Sequence, residues 1–144
     1  MPVDRELVKR KINLILEDFK KLRHLADLDL DKFLSDYNEI LAERLLERII
    51  GRMIDINYHL ITESLLITPR DYSDSFLKLP EIGVLEPKMA QNFAKLAGLR
   101  NRLAHEYNGL DEKLFFQATK EMVNRLPTYL KAVDNFLSRL FPAI

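Results

Sequence analysis

The chain has 144 residues, 47% of them hydrophobic and 31% charged, a globular composition that fits one domain burying roughly two-thirds of its unfolded surface. Lys+Arg and Asp+Glu stand at 22 each, for a formal net charge of zero; this argues against sequence-blind coating of nucleic acid, which needs many phosphate contacts, and does little to oppose self-association. The lack of cysteine excludes disulfides and thiolate metal sites and fits a reducing, cytoplasmic setting, and no apolar run approaches the ~18 residues of a membrane span.

Four glycines and six prolines predict long helices with few turns, and the apolar spacing agrees almost throughout. Residues 4 to 27 place Leu7, Ile12, Ile15, Leu16, Phe19 and Leu22 at three- and four-residue intervals, the pattern of an amphipathic helix. In "DLDLDKF" the chain turns, with Asp29 or Asp31 as N-cap for a long helix over about 32 to 66. One face of that helix carries Leu46, Ile49, Ile50, Met53, Asn57, Leu60 and Ile61. "ITPRDYSDS" reads as a loop, because the residue before proline disfavours helix and Asp71, Ser73 and Asp74 are cap-type residues. A short helix over about 73 to 80 ends near Pro80. A further helix spans about 86 to 107, with Pro87 in its first turn and Asn108-Gly109 as its stop. The last helical stretch covers about 111 to 140, kinked or divided at Pro127. With no strand pattern, the fold class is all-α, an antiparallel bundle of four to five helices forming one domain over 1–144.

The chemistry concentrates in "LRNRLAHEY", residues 99 to 107. At about 100° per residue, Met89, Phe93, Leu96, Leu103 and Tyr107 fall in one direction, and Arg100 points into the middle of that apolar cluster. A buried guanidinium costs several kcal/mol without an acceptor, so the position calls for a partner or an opening to water. Asn101 and His105 are i and i+4 and share the flank of the stripe with Gly98, beside Ala90, Ala94 and Ala97. A glycine inside a helix costs about 1 kcal/mol; a row of small residues admits a neighbouring helix, and the same helix of a second subunit would bring two His105 rings to one cleft. A structural reading stands beside this one. His105 is then a hydrogen-bonded surface residue, Arg100 pairs with a buried carboxylate, and Tyr107 is a core aromatic.

"RNRLAHEY" resembles the R-(polar)-x-x-x-H motif of the HEPN superfamily, in the R-x4-H-x-Y form of HepT-like toxins. The segment "TPRDYSDSFLKLPEIGVLEPKMAQNFAKLAGLRNRLAHEYNGLD" is similar to that family's central region in order and spacing. The resemblance implies a small, all-α, homodimeric ribonuclease from a prokaryotic toxin–antitoxin pair. It implies Arg100 and His105 as the catalytic pair and Asn101 as the supporting polar residue. It also implies Tyr107 as the tyrosine adenylylated by a cognate minimal nucleotidyltransferase antitoxin. Such a site needs no metal or cofactor, because RNA carries its own nucleophile in the 2′-hydroxyl. The alternative is a non-catalytic helical module that docks onto the nucleotidyltransferase.

On the long helix Arg44, Arg48, Arg52, Asp55 and His59 share one side. Arginines at four-residue spacing repel one another and call for anions. They read either as a solvated face balanced by Asp55 and Glu47 or as contacts to RNA phosphates. Histidines 24, 59 and 105 show no metal-ligand spacing, and no phosphate-cradling glycine loop is present.

Overall fold

Asp4 starts the first helix by accepting the Leu7 backbone N–H at 3.1 Å, an N-cap that satisfies a donor with no intrahelical partner. The computed structural model describes residues 2–105 and 112–143, and for positions 100, 101 and 103–105 the helical backbone alone. Among the described residues every regular element is helical. In order these are α1 (Arg5–Ala26), α2 (Leu30–Phe33), α3 (Asn38–Leu65), α4 (Tyr72–Leu77), a 3₁₀ turn (Leu79–Ile82), α5 (Pro87–His105) and α6 (Glu112–Leu140). None of these helices is long and apolar enough to cross a membrane.

Contacts between distant residues set the topology. Asp4 meets His59, Lys11 meets Asp55, and Asp18 meets Arg48 and Arg52, so α1 and α3 run antiparallel. Arg5 lies over the Phe141 ring while Lys120 donates to the Ala26 carbonyl, so α6 is antiparallel to α1 as well. Val8, Ile15 and Leu22, seven residues apart, supply the buried stripe of α1, whereas Leu16 stays exposed. All seven residues expected on the inner face of α3 are buried. The core centre is aromatic: Phe93 of α5 lies 6.0 Å from Phe76 and 5.6 Å from Tyr129. The Tyr129 hydroxyl donates to Asn57 Oδ1 at 2.7 Å, with the Met53 carbonyl 3.1 Å away. Asn57 in turn donates to Ser75 Oγ, so the polar atoms at this depth are paired as burial requires.

Two boundaries differ from expectation. The long helix begins at Asn38, not near 32. Asp29 caps only one turn, α2, after which Ser35 and Asn38 side chains both bond the Lys32 carbonyl and Asp36 takes a positive φ of 53°. Short polar side chains that bond nearby backbone compete with helix in this way. The helix expected over about 73 to 80 is α4 followed by a 3₁₀ turn containing Pro80. Of the two outcomes expected at Pro127, a kink or a division, the division does not occur, because α6 runs through it as one helix. Pro127 is exposed, and the carbonyl left without its donor is that of Val123, four residues earlier.

Candidate active site on α5

α5 is built from "PKMAQNFAKLAGLRNRLAH", which holds Lys88, Lys95, Arg100 and Arg102 and no acidic residue. In a chain of zero net charge this helix is a local excess of four positive charges. Its inner face is set by Phe93, Leu96 and Ala97, buried against the core, with Met89 half-buried beside them. Its outer face carries Lys88, Gln91, Lys95, Gly98 and Arg102, all exposed. At the helical period, position 105 falls on the stripe of Gly98 and Arg102, while position 100 falls on the side of Phe93 and Leu96. The α5 backbone is helical through positions 100, 101 and 105, so the arginine and histidine sit in one continuous helical register. Tyr107 lies outside the described residues.

The small-residue row continues along the same helix. Ala90 and Ala97 are buried and Ala94 is half-buried. Gly98 is exposed, and a Cβ added there would meet nothing within 4 Å among the described residues. Gly98 opens onto a cleft of about 500 Å³ lined by Tyr58 of α3, Arg70, Asp71, Tyr72 and Ser73 at the start of α4, and Ala94 and Lys95 of α5. Asp74, buried beneath, holds this rim in place. It accepts the Arg70 backbone N–H at 2.9 Å and lies 3.3 Å from Lys78 Nζ and 3.5 Å from the Arg70 guanidinium. Burial alone would raise the Asp74 carboxyl pKa, but the Arg70 amide and the Lys78 ammonium together hold it below the ordinary carboxylate value.

The arginines of α3 have a different environment from the one expected. Arg48 Nε and Arg52 Nη1 converge on one oxygen of Asp18, at 3.2 and 2.9 Å, and Asp18 is buried. Their counter-charge is thus a carboxylate of α1, while Asp55 pairs with Lys11. Arg44 is exposed. His59 accepts the Asp4 backbone N–H through Nε2 at 2.8 Å, so that nitrogen is occupied by the chain's own N-terminal segment. Arg44 and His59 are fifteen residues apart along α3, roughly 22 Å of helix, so these four residues do not converge on one point. Sequence reasoning passed over Tyr58, Tyr72, Arg70, Lys95 and Arg102. The signal that could have found the last two was the absence of any acid between Pro87 and His105. Among the described residues no cluster of His, Asp or Glu has the grouping of a metal site.

A family model described as HepT-like, ribonuclease HepT-like, matches residues 14–133. A tRNA nuclease HepT of Aphanizomenon flos-aquae is 29% identical over 141 residues, covering 96% of this chain and 95% of that protein. A putative RNase of Archaeoglobus fulgidus is 32% identical over 72 residues, half of this chain. The fold is shared with a tri-AMPylated HEPN toxin of Shewanella oneidensis solved in complex with its MNT antitoxin, at TM-score 0.82 and 21% identity over 92% of this chain and 99% of that one. It is also shared with YutE of Bacillus subtilis, a cytosolic protein of unknown function, at TM-score 0.83 and 19% identity over 99% of this chain and 96% of that one.

Proposed function

Since this chain belongs to the HepT-like ribonuclease family, we propose that it is the toxin of a type II toxin–antitoxin pair, a metal-independent endoribonuclease that works as a homodimer. The observation carrying this reading is the R-x4-H-x-Y motif at 100–107, which lies inside the matched span and whose Arg100 and His105 fall on α5, a helix with four cationic residues and no acidic one.

In the proposed reaction a base removes the proton of the RNA 2′-hydroxyl and the oxygen attacks the adjacent phosphorus. The bond to the 5′-oxygen then breaks as an acid protonates that leaving oxygen, giving a 2′,3′-cyclic phosphate and a free 5′-hydroxyl. An imidazole titrates near neutrality and can fill either proton-transfer role, worth about 10²–10⁴-fold. Two copies of His105, one from each subunit, divide the two roles. Arg100 stabilises the phosphorane, whose charge matches a planar guanidinium fork, and Asn101 supports by orienting His105 or bonding a phosphate oxygen. Purified protein with chelator present should cleave RNA, and His105→Ala should abolish cleavage with an unchanged circular dichroism spectrum. Cleavage that needs a divalent cation, or that survives the substitution, overturns the assignment. A folded protein that cleaves nothing but binds the nucleotidyltransferase is the docking module instead.

Tyr107 is the proposed site of control. AMP on its hydroxyl would add bulk and negative charge two residues from His105, opposing RNA entry sterically and electrostatically. Incubation with the cognate minimal nucleotidyltransferase and ATP should add the mass of AMP at Tyr107 and silence cleavage. Modification confined to another residue would contradict this.

A further inference from the structure

The outer face of α5 has cations without counter-charges beside a cleft walled by aromatic rings. Lys88, Lys95 and Arg102 follow one another at seven-residue steps, about 10 Å each along the helix. All three are exposed, and none is paired with a carboxylate among the described residues. At the middle of this stripe Gly98 removes the side chain and exposes the helix surface to the cleft. Across the cleft stand Tyr58 and Tyr72; burial first, then Tyr72, Asp71 and Asp74, raise the Tyr58 pKa. Arg70 completes the rim. Its side chain is 81% exposed, and it shares the single charge of Asp74 with Lys78, so the trio keeps one net positive charge. Asp71 also lines the cleft, its Oδ1 accepting the Asp74 backbone N–H at 2.7 Å as the cap of α4; its negative charge offsets the one the trio leaves, so the cleft's positive excess comes from α5.

Cations at regular intervals, partly exposed tyrosines and a gap in the helix surface together make the chemistry that binds single-stranded nucleic acid, where phosphates take the charge and bases stack on rings. The helix axis also points the occupant: Gly98 and Arg102 share a stripe with position 105. We propose that this face holds the single-stranded RNA flanking the scissile phosphate, with Lys95, Arg102 and Arg70 on phosphates and Tyr72, backed by Tyr58, stacking one base. The inference rests on the ribonuclease reading for its ligand. It also moves the phosphate track from α3, where Arg48 and Arg52 are anchored to Asp18, to α5.

The test uses the full chain carrying His105→Ala, so that bound RNA survives, with a fluorescent single-stranded oligoribonucleotide followed by anisotropy across a salt series. Lys95→Gln with Arg102→Gln should weaken binding and flatten the log K against log salt slope by about 1.4, at about 0.7 for each phosphate that is no longer neutralised. Tyr72→Leu should weaken binding about 5- to 150-fold with the slope unchanged, the signature of a missing stacking partner. Lys21→Gln, an exposed cation on α1, should change neither. Unaltered affinity and slope in the α5 double variant overturn the track. So does normal RNA binding combined with loss of self-association or of nucleotidyltransferase binding, which would make this face a protein interface. Cleavage by the parent chain is measured in parallel. Cleavage with unaffected variants defeats the track alone, whereas no cleavage with the expected slope change defeats the ribonuclease reading and leaves the track standing.

Discussion

Glu43 on α3 has a carboxyl oxygen, Oε1, enclosed without a hydrogen-bond partner among the described residues. Burial, with Glu39 and Glu47 one turn to either side, raises its pKa to about 7. A carboxyl that binds its proton more tightly in the folded state makes stability fall as pH rises from the ordinary glutamate value toward 7, and stay level above. Glu43→Gln should therefore raise stability at pH 8 by about 1–2 kcal/mol, after discounting for its partial exposure, and make no difference at pH 4. Thermal melts of both proteins across that range would show it, and a difference independent of pH would refute it. Tyr129 is the opposite case, a buried polar group fully used. Tyr129→Phe strips the hydroxyl from Asn57 Oδ1 and should cost about 1–3 kcal/mol in denaturant titration, a loss that keeping the ring cannot offset.

At the level of elements, α5 carries Arg100 and His105 of the motif and a flaw that its own packing does not explain. Gly98 destabilises a helix by about 1 kcal/mol relative to alanine, although a methyl group there would touch nothing among the described residues. Gly98→Ala should raise the melting temperature by about 2–4 °C, and on the proposed reading it should weaken RNA binding as it does so. A stabilised variant with parental RNA affinity would detach the glycine from binding. The rim opposite is held by ionic contacts. The Asp74 pKa is lowered, so the stability that carboxylate contributes is present near neutrality and is lost as pH falls through its folded value. The end of α3 shows the same economy of local devices. Leu66 closes it in the left-handed region at φ 59°, exposed to solvent, and Leu66→Gly should relieve roughly 1 kcal/mol, visible as a raised melting temperature.

At the scale of the whole molecule, the chain has zero net charge, yet α5 holds four cations and no acid, and α1 holds seven cations against three acids. RNA binding should show a shallow salt dependence, set by the few cations on α5, and not the steep slope of a uniformly basic binder. The proposed division of acid and base between two histidines requires two copies. Light scattering should give twice the 16.9 kDa chain mass, and cleavage should fall with dilution below the dimer dissociation constant. A monomer that cleaves with undiminished specific activity would remove the shared cleft. The rate should be bell-shaped in pH through the imidazole range, because one His105 must be neutral while the other is protonated.

The sequence determined what local physics can write into a chain. Apolar spacing marked the inner face of α3 residue by residue, Asp29 marked a cap, and the motif marked α5 and the family. Local rules also explain the errors: "KFLSDYN" is short polar residues bonding their own backbone, a competition that a pattern of leucines does not display. Tertiary structure alone decided where charges end. Arg48 and Arg52 look unbalanced on α3 because their carboxylate, Asp18, lies some thirty residues earlier and meets them only when α1 packs antiparallel. The cleft is likewise a product of packing, since Tyr58, Arg70, Tyr72 and Gly98 come from separate elements. Periodicity says which face of a helix must be covered; it does not say by what.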